Sequence, residues 1–211
     1  MRVSDTPGER MADSIVHVIG ISAALVAVIG MLVAAVPHLP TASTASLAVY
    51  GAGMLAMLGC SAAYHMVPVA DTKGLLQRLD HAAIFLKIAG TYTPFAAIKI
   101  GGAGGFSLLV SVWMVALLGA TGKLLLASTW DRCAVPLYLA LGWVGLVMLQ
   151  PLAASVAPAA LILLGIGGVL YSVGVIFHLW RTLPYQNAIW HAFVLAGTGC
   201  HFGAVTAAVF V

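Results

Sequence analysis

Residues 44–67 read TASLAVYGAGMLAMLGCSAAYHMV, a run that contains no Asp, Glu, Lys or Arg. A helix of this length and apolarity spans the roughly 30 Å hydrocarbon core of a bilayer. The chain holds further runs of the same kind, so we predict seven transmembrane helices, at 14–36, 44–67, 78–99, 105–127, 134–153, 157–180 and 187–210. The sequence therefore predicts an all-α integral membrane protein, with residues 1–211 in a single seven-helix domain.

The overall composition points to the same class of protein. Of 211 residues, 62% are hydrophobic and 7% are charged, and the mean hydropathy is +1.08. A soluble domain of this size needs far less apolar surface. The polar residues 1–13 lack the pattern of a cleavable signal peptide, so we expect the first span to be retained.

The distribution of basic residues predicts how the spans are oriented. Cytoplasmic loops of membrane proteins carry an excess of Lys and Arg. With the N-terminus inside and the C-terminus outside, the outer side holds only Lys99, and the inner side holds Arg2, Arg10, Lys73, Arg78, Lys123, Arg132 and Arg181. We expect a multi-pass protein of the inner (plasma) membrane, whose net charge of +3 faces anionic lipid and not nucleic acid. The oligomeric state stays open.

Polar residues gather at the predicted inner ends of the spans. Ser61 and His65 lie one helical turn apart at the end of the second span, and Asn187 and His191 have the same spacing at the start of the seventh. Asp80 opens the third span. Ionisable groups inside a membrane are costly and usually functional. The same end of the bundle holds Glu9, Asp13, His17, His81 and His178.

Three helices would aim His65, Asp80 and His191 at one point. Imidazole and carboxylate groups suit Zn²⁺. Asp80 would be a ligand or a base that holds the zinc-bound water, and Ser61 would bond that water or polarise a substrate carbonyl. His178 is a spare ligand. The alternative is that each histidine is an interfacial residue, or is bonded to backbone, without any metal.

The remaining polar residues are expected outside the ligand set, because of their depth in the membrane or the helix face on which they lie. His17 is expected to support the site from outside the ligand set, and His81 points about 100° away from Asp80 on a helix. His201 is too deep to reach the same ion. Lys87 falls near the bilayer centre on nearly the same face as Asp80. It is either an inward-facing lysine solvated by water or carbonyl groups, or a contact for a substrate head group or carbonyl.

Several motifs in order resemble the bacterial hemolysin III family, within the larger group of progestin and adipoQ receptors. The S-x-x-x-H motif is present at 61–65, and LDHAAIF at 79–85 with AGTYTPF at 89–95 resembles the third-span signature. The resemblance extends over nearly the whole chain, because further elements match at 9–17, 188–191, 193–197 and 201–202.

The resemblance implies seven helices, an inner N-terminus and a zinc ion near the inner face. It implies three histidine ligands, one from S-x-x-x-H and two from H-x-x-x-H, so His65 and His191 would bind zinc while Asp80 and Ser61 hold its water. The first histidine of H-x-x-x-H is replaced here by Asn187, whose amide oxygen is a weaker ligand. Either Asn187 binds weakly, or Asp80 or His178 substitutes for it, or zinc is lost.

Four functions are consistent with these patterns. The first is a zinc-dependent hydrolase that cleaves an amide or ester bond of a membrane lipid. The second is a non-enzymatic, receptor-like protein or regulator of the membrane, with a structural or lost metal. The third is the cytolysin that the family name implies, although the chain lacks a charged pore-lining pattern. The fourth is a transporter with a proton path through Lys87 and Asp80.

Overall fold

The computed structural model describes residues 6–67, 72–126, 130 and 133–210, and within these ranges it contains helices and no strand. Seven helical segments are long and apolar enough to cross a membrane: Pro7–Ala35, Thr41–Met66, Lys73–Ile100, Gly102–Leu125, Ala134–Ala153, Pro158–Leu179 and Gln186–Phe210. The prediction of an all-α, seven-helix membrane protein is confirmed. Of the residues used for orientation, Arg2 and Arg132 lie outside the described ranges, as does residue 127 of the predicted fourth span.

Helix α1 (Pro7–Ala35) begins earlier than the predicted start at residue 14. The Thr6 hydroxyl accepts the backbone N–H of Glu9 at 3.2 Å, and the Glu9 carboxylate accepts the backbone N–H of Thr6 at 2.7 Å. This reciprocal capping box, with proline at the first helical position, sets the start of the helix. Asp13 and His17 therefore lie on regular helix, one turn apart on a buried face.

Helices α2 (Thr41–Met66), α3 (Lys73–Pro94) and α4 (Gly102–Leu125) follow in sequence. Proline lacks a backbone N–H and interrupts the hydrogen bonds of a helix. Directly after Pro94, the third span continues as a wider π-helical turn, Phe95–Ile100. The third span is thus one continuous helical segment, Lys73–Ile100, which changes from α-helix to π-helix near the end remote from Asp80.

The fifth span is broken in the middle. It consists of α5 (Ala134–Trp143), a 3₁₀ turn (Val144–Met148) and α6 (Leu149–Ala153). Tyr92 of α3 holds the break, because its hydroxyl oxygen accepts the Gly145 N–H at 2.8 Å and its O–H lies 2.7 Å from the carbonyl oxygen of residue 142. The tyrosine compensates for backbone hydrogen bonds that the broken helix does not make.

Helices α7 (Pro158–Leu179) and α8 (Gln186–Phe210) complete the bundle and pack on each other. Helix α1 lies against both α2 and α8, α2 lies against α3, and α3 lies against α4. The end of α2 and the starts of α1, α3 and α8 therefore meet at one end of the bundle. This meeting point positions the site described next.

Candidate metal centre

One residue, Asp13, holds three histidine rings that come from three helices. Its carboxylate accepts hydrogen bonds from Nδ1 of His191 on α8, at 2.6 Å, and from Nδ1 of His65 on α2, at 3.2 Å. Its backbone carbonyl oxygen accepts from Nδ1 of His17, one turn later on α1, at 2.9 Å. Asp13 is 7% exposed, so these three contacts replace its hydration.

These contacts determine which nitrogen of each ring carries hydrogen. A carbonyl oxygen only accepts, and so does an ionised carboxylate, so the hydrogen of each neutral ring lies on Nδ1. The Nε2 atoms of His17, His65 and His191 are then unprotonated. Metal-binding histidines commonly show this arrangement, in which one ring nitrogen donates to a carboxylate or carbonyl and the other binds the ion.

The Ser61 hydroxyl lies next to this cluster and has more acceptors than it can serve. Its Oγ is 3.3 Å from Nε2 of His17 and 3.5 Å from Nε2 of His191, and it also bonds the side chain of Asp80. A hydroxyl supplies one hydrogen, while two imidazole nitrogens and a carboxylate face it. The cluster is thus rich in electron pairs and short of hydrogens, which a bound cation would correct.

The rings are close enough to share an ion. Their centroids are 4.4 Å apart for His17 and His191, 4.5 Å for His65 and His191, and 5.4 Å for His17 and His65. One potential ligand atom from each of Asp13, His17 and His191 lies within 4.8 Å of the others. Two nitrogens on a tetrahedral zinc ion are about 3.4 Å apart, given Zn–N bonds of about 2.05 Å. Asp13, His17 and His191 therefore offer ligand atoms at a spacing that one ion could share, and the His65 ring lies against them.

The structure brings together four residues that the sequence singled out: His65, His191, Ser61 and Asp80. Asn187 lies one turn before His191 and lines a cavity of about 160 Å³ at this end of the bundle. That cavity is mostly polar, with lining residues Glu9, Arg10, Asp13, Tyr64, His65, Lys73, Tyr185, Gln186, Asn187 and Ala188. The role of Asn187 as a ligand stays a prediction.

The expectation for His17 requires correction, and Asp13 was missed. His17 was expected outside the ligand set, but its ring lies among the potential metal ligands, and Asp13 binds all three rings. The four-residue spacing of Asp13 and His17 could have indicated their role. Asp13 and His17 are four residues apart, as are Ser61 and His65, so each helix presents one polar pair on a single face.

The other histidines lie away from the cluster or serve backbone contacts. His201 lies beside Lys87, deeper in the bundle, as its position about three turns beyond His191 predicted. His38 contacts the carbonyl oxygen of Ala34 at 3.0 Å. His178, the predicted spare ligand, packs its ring against Trp190, with centroids 5.0 Å apart.

A second cavity of about 740 Å³ runs from the rings along the length of the third span. Residues on the span from Gln77 to Ile100 line it, together with side chains from α7 and α8. This volume is in the range of sites that hold small organic ligands. It connects the histidine cluster to the middle of the bundle.

Comparisons with known proteins give the family. The sequence model of the family described as haemolysin-III related matches residues 9–202. The hemolysin-3 homolog of Bacillus subtilis (strain 168) is 37% identical over 197 residues, which are 93% of this chain and 92% of that protein. Hemolysin-3 of Bacillus cereus is 35% identical over 204 residues, which are 97% of this chain and 93% of that protein.

A more distant relative is the human monocyte to macrophage differentiation factor, which is 23% identical over 163 residues, 74% of this chain and 67% of that protein. No solved structure matches the chain significantly. The resemblance found from the motifs is therefore confirmed by matches that cover nearly the full length. The chain belongs to the haemolysin III family.

Proposed function

We propose that Nε2 of His17, His65 and His191 bind a zinc ion, and that the protein hydrolyses an amide or ester bond of a membrane lipid. The observation that carries this proposal is the Asp13 network, which leaves three imidazole nitrogens unprotonated next to Ser61 and Asp80. Three protein ligands with one open position are typical of catalytic zinc. His17 would supply the imidazole that the sequence lacks at Asn187.

The zinc would provide a water that ionises near neutral pH and would polarise the substrate carbonyl. The chain's own residues would do the rest. Asp80, which is 8% exposed, would hold the attacking water and accept its proton. Ser61 would donate its hydroxyl hydrogen to the substrate's carbonyl oxygen. Asp13 would keep the three rings in the orientation described above.

The large cavity supports a lipid as the substrate. It reaches from the rings past apolar side chains of the third, fifth and sixth spans, so an acyl chain would lie in it while the cleaved bond rests at Ser61 and Asp80. The excess of basic residues on one side supports an inner N-terminus, and with it a site near the cytoplasmic face of the plasma membrane.

Metal analysis of the purified protein tests the metal proposal. We expect about one zinc per chain in the wild type, and loss of zinc in His17→Ala, His65→Ala and His191→Ala. Asn187→Ala is the matched control on the same helix and should keep its zinc. Zinc retained by His17→Ala but lost from Asn187→Ala would show that Asn187, and not His17, is the third ligand.

Lipid hydrolysis tests the chemistry separately. Asp80→Asn should keep zinc and a normal melting temperature but lose release of fatty acid from a ceramide or phospholipid, typically by 10² to 10⁴-fold. Unchanged turnover in Asp80→Asn, or turnover by the zinc-free His65→Ala variant, would rule out this mechanism.

A non-enzymatic role is the second candidate, and one observation favours it. The carboxylate of Asp13 already satisfies Nδ1 of both His65 and His191, so the network can tie α1, α2 and α8 together without an ion. In that case the protein would be a regulator or receptor of the membrane. The wild type and Asp80→Asn would then both leave every tested lipid intact, and His65→Ala would lower only the melting temperature.

A further inference from the structure

Lys87 is a buried lysine in the middle of the third span. Its side chain is 3% exposed, and its Nζ donates to the hydroxyl oxygen of Tyr171 at 2.7 Å and to Nδ1 of His201 at 3.4 Å. The His201 ring also bonds the backbone carbonyl of Leu164, which fixes a hydrogen on the other ring nitrogen. Nδ1 of His201 is therefore an acceptor.

The Tyr171 hydroxyl is oriented by a short chain of hydrogen bonds. Thr198 donates to the carbonyl oxygen of Val194 at 2.8 Å, so at 2.6 Å it accepts the hydrogen of Tyr171. The Tyr171 oxygen is then free to accept from Lys87. Lys87 Nζ also lies 4.2 Å from the centroid of the Tyr171 ring. Both side chains that contact the Lys87 amino group are thus neutral acceptors, and neither carries a negative charge.

No carboxylate compensates Lys87 within the ranges 6–67, 72–126 and 133–210. The chain has six acidic residues, and the three described are Glu9, Asp13 and Asp80. Glu9 caps α1, Asp13 binds the histidine rings, and Asp80 lies seven residues before Lys87, roughly 10 Å away along the helix. Burial of an unpaired charge in a membrane protein is costly, and such residues mark ligand or ion sites.

The cavity limits which anion could pair with Lys87. A phospholipid phosphate stays at the membrane surface. Lys87 lies about 10 Å further along α3 than Asp80, and therefore deeper in the bundle. Beyond Lys87 and the neighbouring Thr91 and Tyr92, the side chains that line the cavity are mostly apolar, among them Phe95, Ile100, Leu108, Leu152 and Leu161. A compact, singly charged group on a flexible apolar chain meets both conditions.

We propose that Lys87 binds the carboxylate of a long-chain fatty acid, with the acyl chain in the apolar part of the cavity beyond it. Tyr171 and His201 hold the ammonium in place, and its remaining N–H donates to the carboxylate. This ligand site shares the large cavity with the acyl chain of the proposed lipid substrate. It does not depend on the metal centre or on hydrolysis, so it stands or falls separately.

The test measures binding of palmitic acid and of hexadecanol to the purified protein in phosphatidylcholine nanodiscs, which contain no competing anionic lipid. The wild type should bind the acid at least tenfold more tightly than the alcohol, because a hydrogen bond to a charged group is worth more than one to a hydroxyl. Lys87→Met should lose this preference. Lys99→Met removes a lysine from the same span outside the cavity lining and should keep it.

Two further measurements test the proposal even if the Lys87→Met variant does not fold. Tyr171→Phe keeps the ring and removes the hydroxyl, and it should reduce the preference for the acid while the protein remains folded. In the wild type, a palmitic acid with a photoreactive group next to its carboxylate should label peptides around Lys87 and Tyr171.

Three results would overturn the proposal. The first is equal binding of acid and alcohol by the wild type, and the second is an unchanged preference in a folded Lys87→Met variant. The third is photolabelling at His65 and His191, together with loss of acid binding in His65→Ala, which would place the carboxylate at the metal centre. If instead zinc is absent but palmitic acid still binds through Lys87, only the proposed metal function fails.

Discussion

Asp13→Asn is the sharpest test of how the histidine cluster is built. The substitution keeps the size of the side chain but turns one carboxylate oxygen into an NH₂ group. That group would face Nδ1 of His65 or of His191, which lie 3.2 Å and 2.6 Å from the carboxylate oxygens. Since NH₂ only donates, the ring it faces must move its hydrogen from Nδ1 to Nε2.

The expected effect is a large loss of zinc affinity with the ligands still present. A ring protonated on Nε2 cannot bind an ion there. Replacement of a residue that orients a metal-binding histidine typically lowers metal affinity by 10 to 100-fold. Asp13 orients two rings with its carboxylate, so we expect the upper end of that range, about 100-fold, or about 2.7 kcal/mol.

The assay is a zinc titration against a chromophoric chelator, with Glu9→Gln as the control. Glu9 lies on the same helix and loses the same charge, but it contacts Thr6 and the Tyr185 N–H instead of the rings. Glu9→Gln should bind zinc as the wild type does. Zinc affinity within threefold of the wild type in a folded Asp13→Asn variant would refute the role given to Asp13. Equal losses in both variants would point to net charge or helix capping.

Three further outcomes follow from the same geometry. Protons compete with zinc for imidazole nitrogen, so the zinc affinity should fall as the solution is acidified, and an affinity that is independent of pH down to the point of unfolding would argue against imidazole ligands. Tyr92→Phe removes the acceptor of the Gly145 N–H at the broken fifth span and should cost roughly 1–3 kcal/mol in denaturant unfolding, while an unchanged midpoint would show that water replaces the hydroxyl. A Cβ at Gly167 would overlap the His201 ring, so Gly167→Ala should weaken binding of palmitic acid but leave zinc content unchanged. Loss of zinc in that variant would indicate a global disturbance.

The seven spans could be predicted because apolarity is a local property. Each run of residues carries its own length and hydropathy, and the predicted boundaries differ from the observed ones mostly by a few residues. The largest difference is at α1, which starts at Pro7 and not at residue 14. The signal was present as Thr6 and Glu9 in capping-box spacing, with a proline between them. The predicted first span began at residue 14, so Asp13 lay outside it. For this reason the sequence did not predict the contacts of Asp13 with the histidine rings.

The candidate site was predicted only in part. The pairs Ser61 with His65 and Asn187 with His191 could be found because i,i+4 spacing places side chains on one face of a helix. The hydrogen bonds of Asp13 could not be found in this way. They join residues that are distant in sequence, Asp13 and His191 among them, and depend on how α1 packs between α2 and α8.

By itself, the sequence determined the class of protein, the number of spans, the family and most of the polar residues that meet at one end. These properties follow from composition, local spacing and motifs that need no partner in space. Only the tertiary structure decided that Asp13 orients three imidazoles, and that Lys87 lies between Tyr171 and His201 with no carboxylate beside it in the described part of the chain. The physical reason is that hydrogen bonds between helices depend on rotation and depth in the bundle. Packing of all the helices together sets both quantities.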